Sequence, residues 1–164
     1  MIYLSADFLM PVTTFPIRNG VLAMQEDGTI CGVYKPGEVP VPDSDIRKLQ
    51  GVLCPGFINT HCHLELSYLH NKIEKGAGLD GFISHIEQEK KKTDTSEILA
   101  AINAAENDMV GEGIVAVGDI SNTESSFHAK KKAKLIYHTF IEVFGSDPER
   151  AGEFFHEARQ LFAK

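Results

Sequence analysis

The 164 residues suffice for one ordinary domain, and the apolar share of 43% and charged share of 24% are those of a water-soluble globular chain. No apolar run approaches the length of a membrane span, and the first residues lack a basic segment followed by an apolar one, so a cytoplasmic protein without a membrane partner is expected. A net charge of −7 argues against nucleic acid, which is held by basic surfaces.

Up to about residue 50 the chain reads as β structure with turns. Asn19-Gly20 and Asp27-Gly28 are turn dipeptides that favour positive φ. Val21-Leu22-Ala23-Met24 lies between them and Thr29-Ile30-Cys31-Gly32-Val33-Tyr34 follows, which predicts a hairpin. Pro36, Pro40 and Pro42 then interrupt regular structure. So short a β region does not bury a sheet face by itself and is expected to pack on something else.

From Gly51 onward strands and helices alternate. Residues 57–61 form a strand candidate, and 79–90 a helix with Phe82, Ile83 and Ile86 on one side. Asp94 or Thr95 caps the next helix, with Glu97 placed for a capping box if Asp94 is the cap. Ile98, Ala101, Ile102, Ala105 and Met109 recur at helical spacing until Gly111 and Gly113. Residues 114–117 are a buried type of strand, a short helix is predicted over 125–134, and 135–144 contain a third strand. Asp147-Pro148 sets a cap before a proline at the first helical position, and Ala151, Phe154, Phe155, Ala158, Leu161 and Phe162 are the apolar face of a last helix. This alternation predicts an α/β class with parallel βα units. The division into regions is 1–50, β, and 51–164, βα.

Three cysteines, Cys31, Cys54 and Cys62, are an odd number without a Cys-x-x-Cys, which disfavours a disulfide framework and a thiolate zinc cluster. The runs Lys90-Lys91-Lys92 and Lys130-Lys131-Lys132 lack interleaved aromatics and read as solvated helix ends or faces. His70, His85, His128, His138 and His156 have no partner spacing and read as ordinary polar residues.

His61-Cys62-His63 stands apart. Residues i and i+2 of a strand share a face, so the two imidazoles are placed to share a divalent metal while Cys62 turns the other way into packing. Taken alone the pair is a weak signal, more often two ordinary polar histidines at a strand end than a metal site.

The surrounding segment, Leu53-Cys54-Pro55-Gly56-Phe57-Ile58-Asn59-Thr60-His61-Cys62-His63-Leu64-Glu65, resembles the first barrel strand of the metal-dependent amidohydrolase superfamily. Leu64-Glu65-Leu66-Ser67, Gly76-Ala77-Gly78-Leu79 and Gly113-Ile114-Val115-Ala116-Val117-Gly118-Asp119-Ile120-Ser121 are similar to the branch of cytosine, adenosine-type and aminodeoxyfutalosine deaminases and chlorohydrolases. The resemblance covers essentially the whole chain. It implies the first three βα units of a (β/α)8 barrel behind a small N-terminal β region. About half of an eight-unit barrel of roughly 250 residues fits here.

What the resemblance implies chemically is a hydrolase of non-peptide carbon–nitrogen bonds, a deaminase of an aminopurine-like or related small molecule. One divalent ion, zinc or iron, activates water. His61 and His63 match two of its ligands; the others are histidines of the fifth and sixth strands and an aspartate of the eighth, strands that these residues do not include. Glu65 reads either as a substrate contact or as a solvated or helix-capping carboxylate. Asp119, Ser121, Asn122 and Glu142 follow strand ends, which face the mouth of such a barrel, or they serve turns and caps. Two rival readings remain: a truncated, catalytically silent chain, and a small metal-binding α/β module. With the other strands or a C-terminal half missing, Val115, Val117 and Ile136 are expected to be exposed on one face, favouring self-association.

Overall fold

A computed structural model describes residues 1–73, 76, 78–145 and 147–164. Ala77 of the Gly76–Leu79 resemblance lies outside the described residues. The chain divides into two compact units, Met1–Gly56 and Phe57–Lys164.

The first unit is β structure. Strands β1 (Ile2–Ser5), β4 (Val21–Met24), β5 (Ile30–Tyr34) and β6 (Ile46–Lys48) form a sheet in the order β5-β4-β1-β6. The predicted hairpin is β4 against β5, antiparallel, with a bulge between Ala23 and Met24. Its turn depends on Gly28, whose φ of 90° is strained for any residue with a Cβ. Strands β2 (Phe8–Leu9), β3 (Ile17–Arg18) and β7 (Val52–Leu53) form a second sheet in the order β3-β2-β7. Ala6, Leu9, Val21 and Ala23 are the buried apolar residues of this unit. Its boundary falls at Gly56 rather than at residue 50, because Val52 and Leu53 pair in parallel with Phe8 and Leu9. The Asp7 carboxylate also accepts the Gly51 amide at 2.7 Å.

The second unit is built on three parallel strands, β8 (Phe57–Cys62), β9 (Ile114–Ser121) and β10 (Ile136–Ile141), in the order β10-β9-β8. The connections carry α1 (Gly78–Lys92), α2 (Thr95–Gly111) and α3 (Phe127–Lys130), and α4 (Ala151–Phe162) follows β10. Asp94 caps α2 by accepting the Glu97 amide at 2.8 Å. The reciprocal half of the capping box is not made, since the Glu97 carboxylate accepts from Lys72 instead. Asp147 accepts the Glu149 amide with Pro148 at the first helical position, as its spacing predicts.

Strand register separates the two faces of this sheet. Val117, Asp119 and Ser121 lie beside Tyr137, Thr139 and Ile141, and the helices cover this face. Ile102 of α2 is fully buried, and Asn59 of β8 reaches Met109 of α2. Ala116, Gly118 and Ile120 lie beside Ile136, His138 and Phe140 on the other face. That face is open: Ile58 is 64% exposed, Ile136 72% and Phe140 51%. Of Val115, Val117 and Ile136, expected on one exposed face, Val115 (48%) and Ile136 are exposed, but Val117 is not. Val117 is buried beneath helices, and Ile136, one position out of phase with it, lies on the opposite face.

Candidate metal centre and its carboxylate supports

The histidine pair owes its direction to a bulge. Asn59 pairs with Val117 and Cys62 with Asp119, so three steps along β8 match two along β9. Plain alternation would put Asn59, His61 and His63 on one face. The inserted residue re-phases the strand, so Asn59 and Cys62 both turn toward the helices and the histidines turn away. Gly118 lies against this bulge, where a Cβ would come within 2.9 Å of the Thr60 carbonyl oxygen. The Cys62 thiol is pushed up from an ordinary 9.0 to about 11 by burial and by the neighbouring Asp119 carboxylate.

The His61 and His63 rings approach edge to face with centres 5.2 Å apart. Two imidazoles on one tetrahedral zinc, each nitrogen about 2.0–2.1 Å from the ion, have ring centres about 5 Å apart. His63 Nδ1 is buried and has no hydrogen-bond partner among the described residues. The donor chemistry and spacing therefore fit a divalent ion at two of its positions. Among the described residues, no group of three or more His, Cys, Asp or Glu side chains is placed to enclose one.

Just past His63 the chain turns into a 3-10 helix, Leu64–Leu69, which packs on α2. His63 provides no side-chain cap for it. Asp119 does so from the adjacent strand: its Oδ1 accepts the Leu64 amide at 2.7 Å. The other oxygen accepts from Ser121 at 3.2 Å and pairs with the ammonium of Lys130. That ammonium also donates to Ser121 at 3.0 Å and Thr139 at 3.1 Å. Both charges are buried, with the Asp119 side chain wholly covered and that of Lys130 7% exposed.

Asp119 therefore does not face the strand-end mouth; it lies on the helix-covered face, opposite the histidines. Lys130 likewise departs from its reading as part of a solvated run. Phe127, three residues earlier on the same side of α3, is half-buried, and its ring lies 5.3 Å from the ammonium. Glu65 is not solvated. It is 5% exposed, and its oxygens accept the amide of Asn122 at 3.0 Å, the amide of Thr123 at 2.9 Å and the hydroxyl of Thr123 at 2.7 Å. Glu142 is exposed just beyond β10, and its backbone carbonyl accepts from the Asn122 side chain. The residues missed from sequence are thus Lys130, whose partners lie on β9 and β10, and Thr123, whose partner Glu65 lies in the 3-10 helix after β8.

No family model and no curated protein sequence matches the chain. Solved structures do match its fold. The aminofutalosine deaminase of Helicobacter pylori, in complex with methylthio-coformycin, aligns over 99% of this chain and 41% of its own, at a TM-score of 0.68 and 19% identity. The 5-methylcytosine deaminase of Klebsiella pneumoniae aligns over 97% and 41%, at 0.67 and 18%. The zinc-complexed atrazine chlorohydrolase of Arthrobacter aurescens TC1 aligns over 88% and 37%, at 0.64 and 15%. The chain spans about two fifths of the length of these structures. They are deaminases and a chlorohydrolase, the kinds of enzyme that the histidine-pair segment resembles.

Proposed function

We propose that this chain carries the first βα units, and the first two metal ligands, of a metal-dependent amidohydrolase barrel. Its reaction is hydrolysis of a carbon–nitrogen bond other than a peptide bond, with deamination of an aminopurine-like or related ring as the preferred case. The observation that carries this reading is the His61–His63 pair, held 5.2 Å apart at the C-terminal end of β8. Strand ends of that polarity are where barrel enzymes place their chemistry. The parallel order of β8, β9 and β10 and the likeness to deaminases and a chlorohydrolase support it.

His61 and His63 would hold the ion, zinc or iron, through their ring nitrogens. The ion supplies Lewis acidity and lowers the pKa of coordinated water. Asp119 and Glu65, both tied down by hydrogen bonds, shape the loops around the pair. Glu142, exposed just beyond β10, is the carboxylate we assign to contact with a small-molecule substrate. On the family pattern, the remaining ligands and the group that moves protons belong to later strands.

The test is metal binding followed by assay. Cobalt(II) titration of the purified chain should show visible absorption that disappears in His61→Ala and His63→Ala. Each substitution should weaken binding at least about tenfold, since loss of an outer-shell group alone costs that much. Ammonia release is then followed from adenine, adenosine, cytosine and guanine. With the remaining ligands and the proton-transfer group on later strands, these residues by themselves are expected to release none, and turnover lost in His61→Ala would show that they complete a site of their own. Cobalt binding undiminished in the double alanine variant would remove the metal centre and the proposal with it.

A further inference from the structure

We infer that Asp119 is a positioning residue for the histidine pair, acting through the backbone amide of Leu64. The metal part of this inference rests on the function proposed above; the geometric part does not.

Leu64 is 1% exposed, and its amide opens a 3-10 helix for which His63 offers no cap. Without an acceptor that amide would be buried and unsatisfied. Asp119 supplies the acceptor from β9, 55 residues away, at 2.7 Å. The bond closes over a single residue, His63, whose backbone (φ −122°, ψ 74°) belongs to neither strand nor helix. No regular ladder determines that conformation, so the Leu64–Asp119 bond is what fixes the direction in which His63 leaves the backbone. On the other side Cys62 is registered against Asp119 by the bulged pairing. The residue that orients His63 thus also borders the re-phasing that turns His61 to the open face.

Lys130 has a separate duty. A buried carboxylate without a counter-charge is costly, and the ammonium neutralises it while Ser121 and Thr139 take its remaining donors. The positioning needs an oxygen at Asp119, whereas the charge pair is the means of keeping that oxygen buried. The two duties can be separated by substitution.

The experiment compares two double variants. Asp119→Asn with Lys130→Met removes both charges and leaves an amide oxygen for Leu64. Asp119→Leu with Lys130→Met removes the acceptor and keeps the branching of the side chain. In histidine-labelled protein without metal, ring-to-ring nuclear Overhauser contacts report the spacing of His61 and His63, and cobalt(II) titration reports its consequence. The asparagine variant should keep the ring contact and bind cobalt within about threefold of the unsubstituted chain. The leucine variant should lose the contact and bind about 10–100-fold more weakly, the range for outer-shell groups.

If the leucine variant does not fold, an α-hydroxy acid analogue of leucine incorporated at position 64 replaces the N–H with an ester oxygen and leaves every side chain in place, and loss of the ring contact is again expected. Ring contacts unchanged in the leucine variant or in the ester would overturn the inference. A chain that binds no cobalt yet shows this pattern of ring contacts would instead sink the metal reading and leave the positioning role standing.

Discussion

Glu65 and Thr123 are joined twice: one carboxylate oxygen accepts both the Thr123 amide at 2.9 Å and its hydroxyl at 2.7 Å. The other oxygen accepts the Asn122 amide at 3.0 Å, so the turn after β8 is fastened to the loop after β9. Glu65→Ala leaves these donors without their acceptor. The expected loss is about 3 kcal/mol of unfolding free energy, from charge-assisted bonds of about 1.5–3 kcal/mol partly replaced by water. Urea denaturation measures it, and a change below about 1 kcal/mol would mean that water serves the loop equally well.

Lys130→Ala should be among the most damaging single substitutions, costing about 3–5 kcal/mol, because it strands the buried Asp119 charge. Adding Asp119→Asn should recover part of that loss. Unfolding curves of the two single variants and the double form the cycle. Additive losses would show that the two charges are not coupled in the folded chain.

Cys62 should resist alkylation. With its thiol raised to about 11, roughly one molecule in a thousand carries the thiolate at pH 8, and the rate should climb until the pH passes about 11. Exposed Cys31 should react at least about tenfold faster under the same conditions. Mass spectrometry after timed iodoacetamide treatment distinguishes them. The folded thiol value lies above the ordinary 9.0, so its contribution to stability is complete below about 9 and is lost as pH rises through about 11.

The open face of the second unit should drive self-association at micromolar concentration. Ile136 and Phe140 are exposed there, and strands β8 and β10 are the two edges of the sheet. Ile136→Lys with Phe140→Glu should shift the chain toward monomer in size-exclusion chromatography with light scattering. A monomer without any substitution would show that this face needs no cover.

Local interactions were legible in the sequence by itself. The hairpin, the Asp94 and Asp147 caps and the order of strands and helices each depend on groups within a few residues of one another. The histidine pair was legible too, through two residues and the segment around them. Tertiary structure alone decided which way those histidines face and what holds them. The bulge exists only because β8 is registered against β9, and plain alternation would have turned the pair into the helices. Asp119, Lys130 and Glu65 acquire their roles from partners 9 to 58 residues away. A carboxylate's own position does not say whether it will meet solvent, a lysine or a buried amide. That is settled by which strands pair and in what register, because burial makes an unsatisfied charge or N–H too costly to keep.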